Sequence, residues 1–269
     1  MTSDIAQRER YTTANRAAWD HSAQFHRDNA LGKELYDGFA EPGYSCLDDV
    51  ETALLENIGV AGRDVVQICC NNGRELLSVK NMGAARCVGF DQSEPFLEQG
   101  RELARLAGQE IELNARDVYA IEADWDHSFD VALITIGVFG WMPDLEAFFD
   151  LPARLLRPGG HLVIHEEHPV MNMFEPACDK PFEPSYDYFR SAPFEDEGAI
   201  VYDGTGTGEG GTHYWFFHTL SDVMTAMLGA GFTIETFREY PNNISAVEFD
   251  IYHQRATNMP VSYVLVGKR

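Results

Sequence analysis

The sequence predicts an α/β fold built on a buried, mainly parallel sheet, and three observations predict it. From Asp64 onward, a short apolar run followed by a helix-length amphipathic segment recurs, the pattern of βαβ units. "VVQICCNNGREL" runs from an apolar strand through a polar turn into a helix, and 18 residues beyond its Gly73 comes Asp91, at the end of "CVGFD". "RPGG" at 157–160 then stops an amphipathic helix and turns the chain into a further strand.

In chain order, the first 60 residues read as mostly helical, with amphipathic pieces "ANRAAWDHSAQFH" and "SCLDDVETALLENIGV". Strands are expected at 65–68, 87–90, 110–113, 129–136 and 161–166, with helices at 74–80, 94–107 and 145–156. In the second helix Phe96, Leu97, Leu103 and Leu106 recur at helical spacing; in the third, Leu145, Phe148, Phe149, Ala153 and Leu156 do so. Regularity lapses after Glu167, through a segment rich in Pro, Gly, acids and aromatics, which reads as a lid or binding insertion rather than a connector. "HTLSDVMTAMLGAGF" is expected to form a helix capped by Thr219 or Ser221, and "FTIETFREY" and "VSYVLVGKR" are expected to be the closing strands. The expected divisions of one domain are a helical cap at 1–62, a core at 63–167, an insertion at 168–213 and a C-terminal helix with strands at 214–269.

Composition narrows the function. With 20 basic and 43 acidic residues the formal charge is −23, and no run of Lys or Arg occurs, so nucleic acid is excluded as an expected partner. No apolar run reaches the roughly 18–20 residues of a membrane span, and no membrane partner is expected. The five cysteines (Cys46, Cys69, Cys70, Cys87 and Cys178) are odd in number and the start lacks an apolar leader, so a cytoplasmic protein with reduced thiols is expected.

A tight turn at the carboxyl end of a parallel strand brings backbone N–H groups to a ligand at a helix N-terminus. Gly73 is placed for that turn, and Asn71 and Asn72 belong to the residue type that best tolerates left-handed backbone. Asp91 lies about the roughly 20 residues beyond at which an acid reaches a ribose hydroxyl, which favours an adenosine-containing cofactor over a purely structural turn. Metal is not expected. Cys69 and Cys70 are adjacent and point to opposite faces of a strand, and His161, His165 and His168 lack a ligand spacing such as HExxH. Cys69 reads as a small buried residue, and Cys70 as the one nearer the cofactor.

The order of "QICCNNG", Asp91, the "DV" step at Asp117 and Val118, "FDVALITIGVFGWMPDL" and "LLRPGGHLVI" resembles the class I S-adenosylmethionine-dependent methyltransferases. "GVFGWMPDL", "LRPGG", "EEHPV", "HTLSD" and "EYP" are similar to a bacterial subfamily acting on small molecules. The resemblance implies a Rossmann-like three-layer sandwich. It implies a seven-stranded sheet whose last strand is antiparallel, an N-terminal helical lid and an insertion after the fifth strand. The implied cofactor is S-adenosyl-L-methionine, with S-adenosyl-L-homocysteine as product. Asp91 would hold the ribose, Gln92 and Ser93 would flank the adenosine, and Asp117 and Val118 would meet the adenine edge. Cys70, Asn71 and Gly73 would line the methionine portion, Ile136 would border the cofactor, and Tyr11 is a lid contact or a packing aromatic. Gln67 and Asn71 stand where the family has an acid and a glycine.

Methyl transfer is an in-line displacement governed by positioning, with a base needed only when the acceptor loses a proton. Glu166 and His168, two apart after the fifth strand, are the candidate catalytic pair, or else anchors for the insertion. His213 and His218 are weaker candidates. Trp141, Tyr186, Tyr188, Phe189, Tyr214 and Trp215 offer aromatic walls for a phenol or indole, and for a cationic amine. The expected partner is thus a small-molecule acceptor, with a homodimer left open. Two competing readings are a nicotinamide dehydrogenase, which the lack of GxGxxG opposes, and a non-enzymatic binding or regulatory protein with a degenerate cofactor loop.

Overall fold

The computed structural model describes residues 5–201, 209–245, 247–253, 255 and 258–269. Its centre is a seven-stranded sheet of β1 (Asp64–Ile68), β2 (Arg86–Asp91), β3 (Glu112–Ala115), β4 (Phe129–Thr135), β5 (Leu156–Glu167), β8 (Thr233–Tyr240) and β9 (Ser262–Lys268). The strand order is β3-β2-β1-β4-β5-β9-β8. β1 to β5 pair in parallel, while β9 runs antiparallel between β5 and β8, as the resemblance implies.

Alternation along the strands divides the core in two. Val66, Ile68, Val88, Ala132, Ile134, Leu162 and Ile164 pack toward α6 (Leu145–Leu155) and α7 (Leu220–Gly229). Val65, Cys87, Val131, Leu133 and Val163 face α3 (Asp49–Ile58), α4 (Arg74–Asn81) and α5 (Glu94–Leu106). These are the two outer layers of the sandwich.

Boundaries moved where local signals compete with pairing. "RPGG" lies within β5 rather than before it: Leu156 pairs with Phe129 across an irregularity, and Arg157 bonds Asp130 and Asp64 at 2.8 Å each. β3 begins two residues later than expected, at Glu112. Thr219 caps α7, with its side chain and that of Asp222 bonded reciprocally to each other's backbone N–H. At the N-terminus α1 spans Ile5–Asp28, and α2 (Ala30–Phe39), unread in the sequence, follows the Asn29 cap, which accepts from Gly32 N at 2.7 Å.

The insertion is more ordered than its composition implied. β6 (Phe194–Gly198) and β7 (Glu209–Trp215) form an antiparallel ribbon, while 202–208, also in the insertion, lie outside the described residues. α1 holds this ribbon by mimicking a strand partner. Asn15 donates to Tyr214 O at 3.1 Å and accepts from Tyr214 N at 2.7 Å; Ser22 Oγ accepts from Ile200 N at 3.0 Å. The insertion and the N-terminal helix therefore form one cover over the carboxyl ends of the parallel strands.

Candidate active site

The loop after β1 carries three left-handed residues in alternation, Cys69 (φ 56°), Asn71 (φ 52°) and Gly73 (φ 65°). Gly73 N bonds Cys70 O at 2.7 Å, closing the turn that starts α4. Asp91, at the end of β2, accepts from Asn71 N at 2.8 Å and from Ser93 N at 2.9 Å. Burial pushes its carboxyl above the ordinary range, and these backbone donors pull it back. A carboxylate has about four acceptor positions, so with the amides of Asn71, Gln92 and Ser93 on it Asp91 keeps capacity for a further donor such as a hydroxyl.

Beside it lies a cavity of about 80 Å³, and the structure brings Asn71, Asp91, Gln92, Asp117, Val118 and Ile136 together on its wall. Thr12 and Trp19 of α1, together with Cys69, Gly137, Trp141 and Met142, complete much of its wall. Asp117 also accepts from Tyr119 N at 3.0 Å, which fixes the 3-10 turn that follows β3.

Cys70 and Gly73 are not on this cavity. Plain alternation would put Cys69 with Val65 and Cys70 with Ile68; the left-handed backbone at Cys69 reverses that. Cys69 packs on the α6 side and reaches the cavity, and Cys70 turns beneath β2, where a Cβ at Gly89 would lie 2.6 Å from its sulfur. Gly73 faces Leu113, 3.3 Å from where its Cβ would stand. Ser93 caps α5 in the interior. Tyr11 packs edge-on against Tyr214 and Phe216, with centroids 4.7 and 5.1 Å away, while its neighbour Thr12 takes the cavity position.

A second, larger cavity of about 780 Å³ adjoins the first and shares Asn71, Ile136, Gly137 and Trp141 with it. Trp141, Tyr186 and Trp215 line it; Tyr188, Tyr214 and Phe189 do not. Tyr188 Oη accepts from Leu220 N at 3.0 Å at the start of α7, Tyr214 is buried against α1, and Phe189 is 77% exposed. Phe194, Phe217 and Ile200 of the insertion and Tyr36 and Leu35 of α2 add apolar wall that no sequence periodicity announced. Glu167, Glu175, Glu195 and Asp196 supply negative charge on the insertion side.

Glu166 and His168 do not form a pair. Glu166 accepts from Gly137 N and, at 3.0 Å, from Val138 N, so its carboxylate is committed to the turn leaving β4. Burial raises its pKa, and the amides of Gly137, Glu167, Val138 and Phe139 oppose that shift. His168 Nδ1 accepts from Val170 N at 3.1 Å and its Nε2 lies 3.0 Å from Glu239, and His168 is not among the residues that line the large cavity. Of the two weaker histidines, His218 donates from Nε2 to Met142 O at 2.7 Å and is structural. His213 lies on the large cavity, with its ring 5.9 Å from that of Trp141. Its Nδ1 is 3.2 Å from Gly211 O, and since a carbonyl only accepts, Nδ1 is the donor there and Nε2 is the nitrogen left for a ligand.

The donor set suits S-adenosylmethionine. A buried carboxylate with spare acceptor capacity stands at the end of β2, and the adjoining apolar wall of Phe90, Val118 and Ile136 can receive an adenine ring. Among the described residues no group of three or more His, Cys, Asp or Glu is placed to hold a metal ion, and no helix is long and apolar enough to cross a membrane.

Residues 65–160 match a family model described as a methyltransferase domain. No curated protein matches the chain. Among solved structures, an S-adenosylmethionine-dependent methyltransferase from Mesorhizobium loti is 19% identical, with 81% of this chain and 97% of that one covered at TM-score 0.55. One from Clostridium acetobutylicum is 12% identical over 93% of this chain and 98% of that one, at TM-score 0.59. The Burkholderia thailandensis 1,6-didemethyltoxoflavin-N1-methyltransferase, solved with 1,6-didemethyltoxoflavin and S-adenosylhomocysteine, is 15% identical over 100% of this chain and 93% of that one, at TM-score 0.58. At these identities the likeness is one of fold. Residues 65–160 thus match a methyltransferase domain, and the strand order is that of a fold shared with solved S-adenosylmethionine-dependent methyltransferases.

Proposed function

We propose that the protein transfers the methyl group of S-adenosylmethionine to O, N or electron-rich C of a small aromatic metabolite, such as a phenol or indole, or an aromatic amine. The observation that carries this reading is the junction at which the cofactor cavity and the 780 Å³ cavity share Asn71, Ile136, Gly137 and Trp141. A donor on one side and an acceptor on the other meet there, and holding them in line is the main source of acceleration for such a displacement. Trp141 and Trp215 favour a flat ring, and the acids of the insertion favour a cationic one. The neighbour solved with bound 1,6-didemethyltoxoflavin is in keeping with a small-molecule acceptor.

In this reading Asp91 holds the ribose hydroxyls, Asp117 and Val118 bound the adenine, and Cys69 replaces Cys70 on the apolar wall. His213 replaces Glu166 and His168 as the base, its Nε2 taking the proton of an acceptor that must lose one. Five unpaired cysteines agree with a cytoplasmic setting.

The test is calorimetric binding of S-adenosylhomocysteine to the wild type and to Asp91→Ala, followed by acceptor screening with His213→Asn as control. Binding near micromolar, about −8 kcal/mol, that weakens strongly in Asp91→Ala supports the cofactor assignment. A folded wild type without affinity for S-adenosylhomocysteine overturns it.

A further inference from the structure

Position 67, where the resemblance implies an acid, offers no charge. Gln67 is 1% exposed; its Oε1 accepts from Leu76 N at 3.1 Å, and its Nε2 donates to Thr135 Oγ1 at 2.9 Å and to Glu75 Oε2 at 3.4 Å. The amide is consumed in joining β1 to α4 and β4, so position 67 has neither charge nor a free polar group to offer a ligand.

Three other acceptors line the large cavity beside the loop: Glu51 from α3, and Asn72 and Glu75 immediately after Asn71. Glu51 is 3% exposed and Asn72 is 8% exposed. Glu51 Oε2 lies 3.7 Å from His165 Nδ1, but Glu51 Oε1 has no hydrogen-bond partner among the described residues, and neither has Asn72 Oδ1. Buried polar atoms are nearly always paired, so two orphans on one cavity wall mark a place where a ligand supplies donors. Both atoms accept, Glu51 brings a carboxylate, and Arg74 on the same wall is already paired with Glu75 at 2.6 Å, so the ligand group is a cation with several N–H bonds, a primary ammonium.

Asn71 touches both cavities, so a cofactor whose ribose is at Asp91 extends past Asn71 toward Asn72 and Glu51. We infer that Glu51 and Asn72 bind the α-ammonium of the cofactor's methionine end, so that α3 supplies an anion that Gln67 does not. This rests on the cofactor placement proposed above. Glu51 and Asn72 thereby become recognition residues for the amino-acid part of the cofactor alone.

The experiment compares S-adenosylhomocysteine with 5′-methylthioadenosine, which has the nucleoside and thioether but no amino acid, by calorimetry on the wild type and Glu51→Gln. Glu51→Gln is expected to weaken S-adenosylhomocysteine about tenfold or more while methylthioadenosine stays within about twofold, with no loss of thermal stability. Unchanged S-adenosylhomocysteine binding, the outcome if the site serves an acceptor amine, overturns the inference and leaves the cofactor reading standing. Equal weakening of both ligands assigns Glu51 a structural role and also overturns it. A folded wild type that binds neither ligand overturns the cofactor reading and this inference together. If Glu51→Gln does not fold, Asn72→Ala carries the same comparison.

Discussion

Glu166 Oε2 accepts the backbone N–H of Val138 at 3.0 Å, so the end of β5 holds the turn by which the chain leaves β4. That turn carries Gly137, at the junction of the two cavities, and leads to Trp141. Glu166→Gln turns one acceptor oxygen into a donor facing a backbone N–H. The expected result is a loss of about 1–3 kcal/mol of stability. Chemical denaturation measures it. Weakened S-adenosylhomocysteine binding should accompany it, because Val138 and Trp141 wall the cofactor cavity.

Gly140 lies under Trp215 so closely that a Cβ would fall 2.2 Å from the indole, and Phe216 N bonds Gly140 O at 2.6 Å beside it. Gly140→Ala must displace Trp215 from the acceptor wall. A destabilisation of about 1–3 kcal/mol is expected, with acceptor KM rising more than S-adenosylmethionine KM. Equal changes in both constants would argue against Trp215 as an acceptor contact.

Asn15 bonds both backbone groups of Tyr214, tying α1 to the insertion ribbon. Asn15→Ala leaves a buried N–H and a buried carbonyl unpaired, at a cost of about 1–3 kcal/mol for each such group. Hydrogen exchange should then quicken in β7 and in the middle of α1 together, while β1 and β4 stay protected.

Burial lowers the pKa of His218, against the pull of the Met142 carbonyl, so the folded protein sheds this proton at lower pH than the unfolded chain. Its stability contribution is complete above the unfolded value, about 6.5, and is lost as the pH falls through that value toward the folded one. His168, also lowered by burial, acts in the same sense. His165, whose pKa is raised beside Glu51, acts in the opposite sense, so the readout is the difference between proteins: relative to wild type, His218→Gln, which retains a donor for Met142 O, should gain Tm as the pH falls from about 7.5 to 5.5.

The residues that converge on the smaller cavity were readable because their cues are short-range. Asp91, Asp117 and Ile136 lie at or just beyond ends of parallel strands, and a strand end faces the ligand cleft wherever its neighbours fold. Cys69 and Cys70 defeated the same logic: alternation holds only while the backbone stays extended, and one left-handed residue inverted it. Glu166 and His168 failed for another reason. Spacing of two puts side chains on one side of a strand but does not choose their partners. Gly137 and Val138, 29 and 28 residues away, claimed Glu166 before any base could form.

By itself, then, the sequence determined the layered α/β architecture and the carboxylate at the end of β2, because periodicity and turn chemistry act along the chain, while the reversed last strand was legible only through the resemblance of its ordered motifs. Only the tertiary structure decided the acceptor cavity, whose walls come from α1, α2, α3, the ends of β4 and β5 and the insertion ribbon. Glu51 illustrates the difference. On an isolated α3 it is one more acid of an amphipathic helix, and only packing beside His165 and the cofactor loop buries it with an unpartnered oxygen.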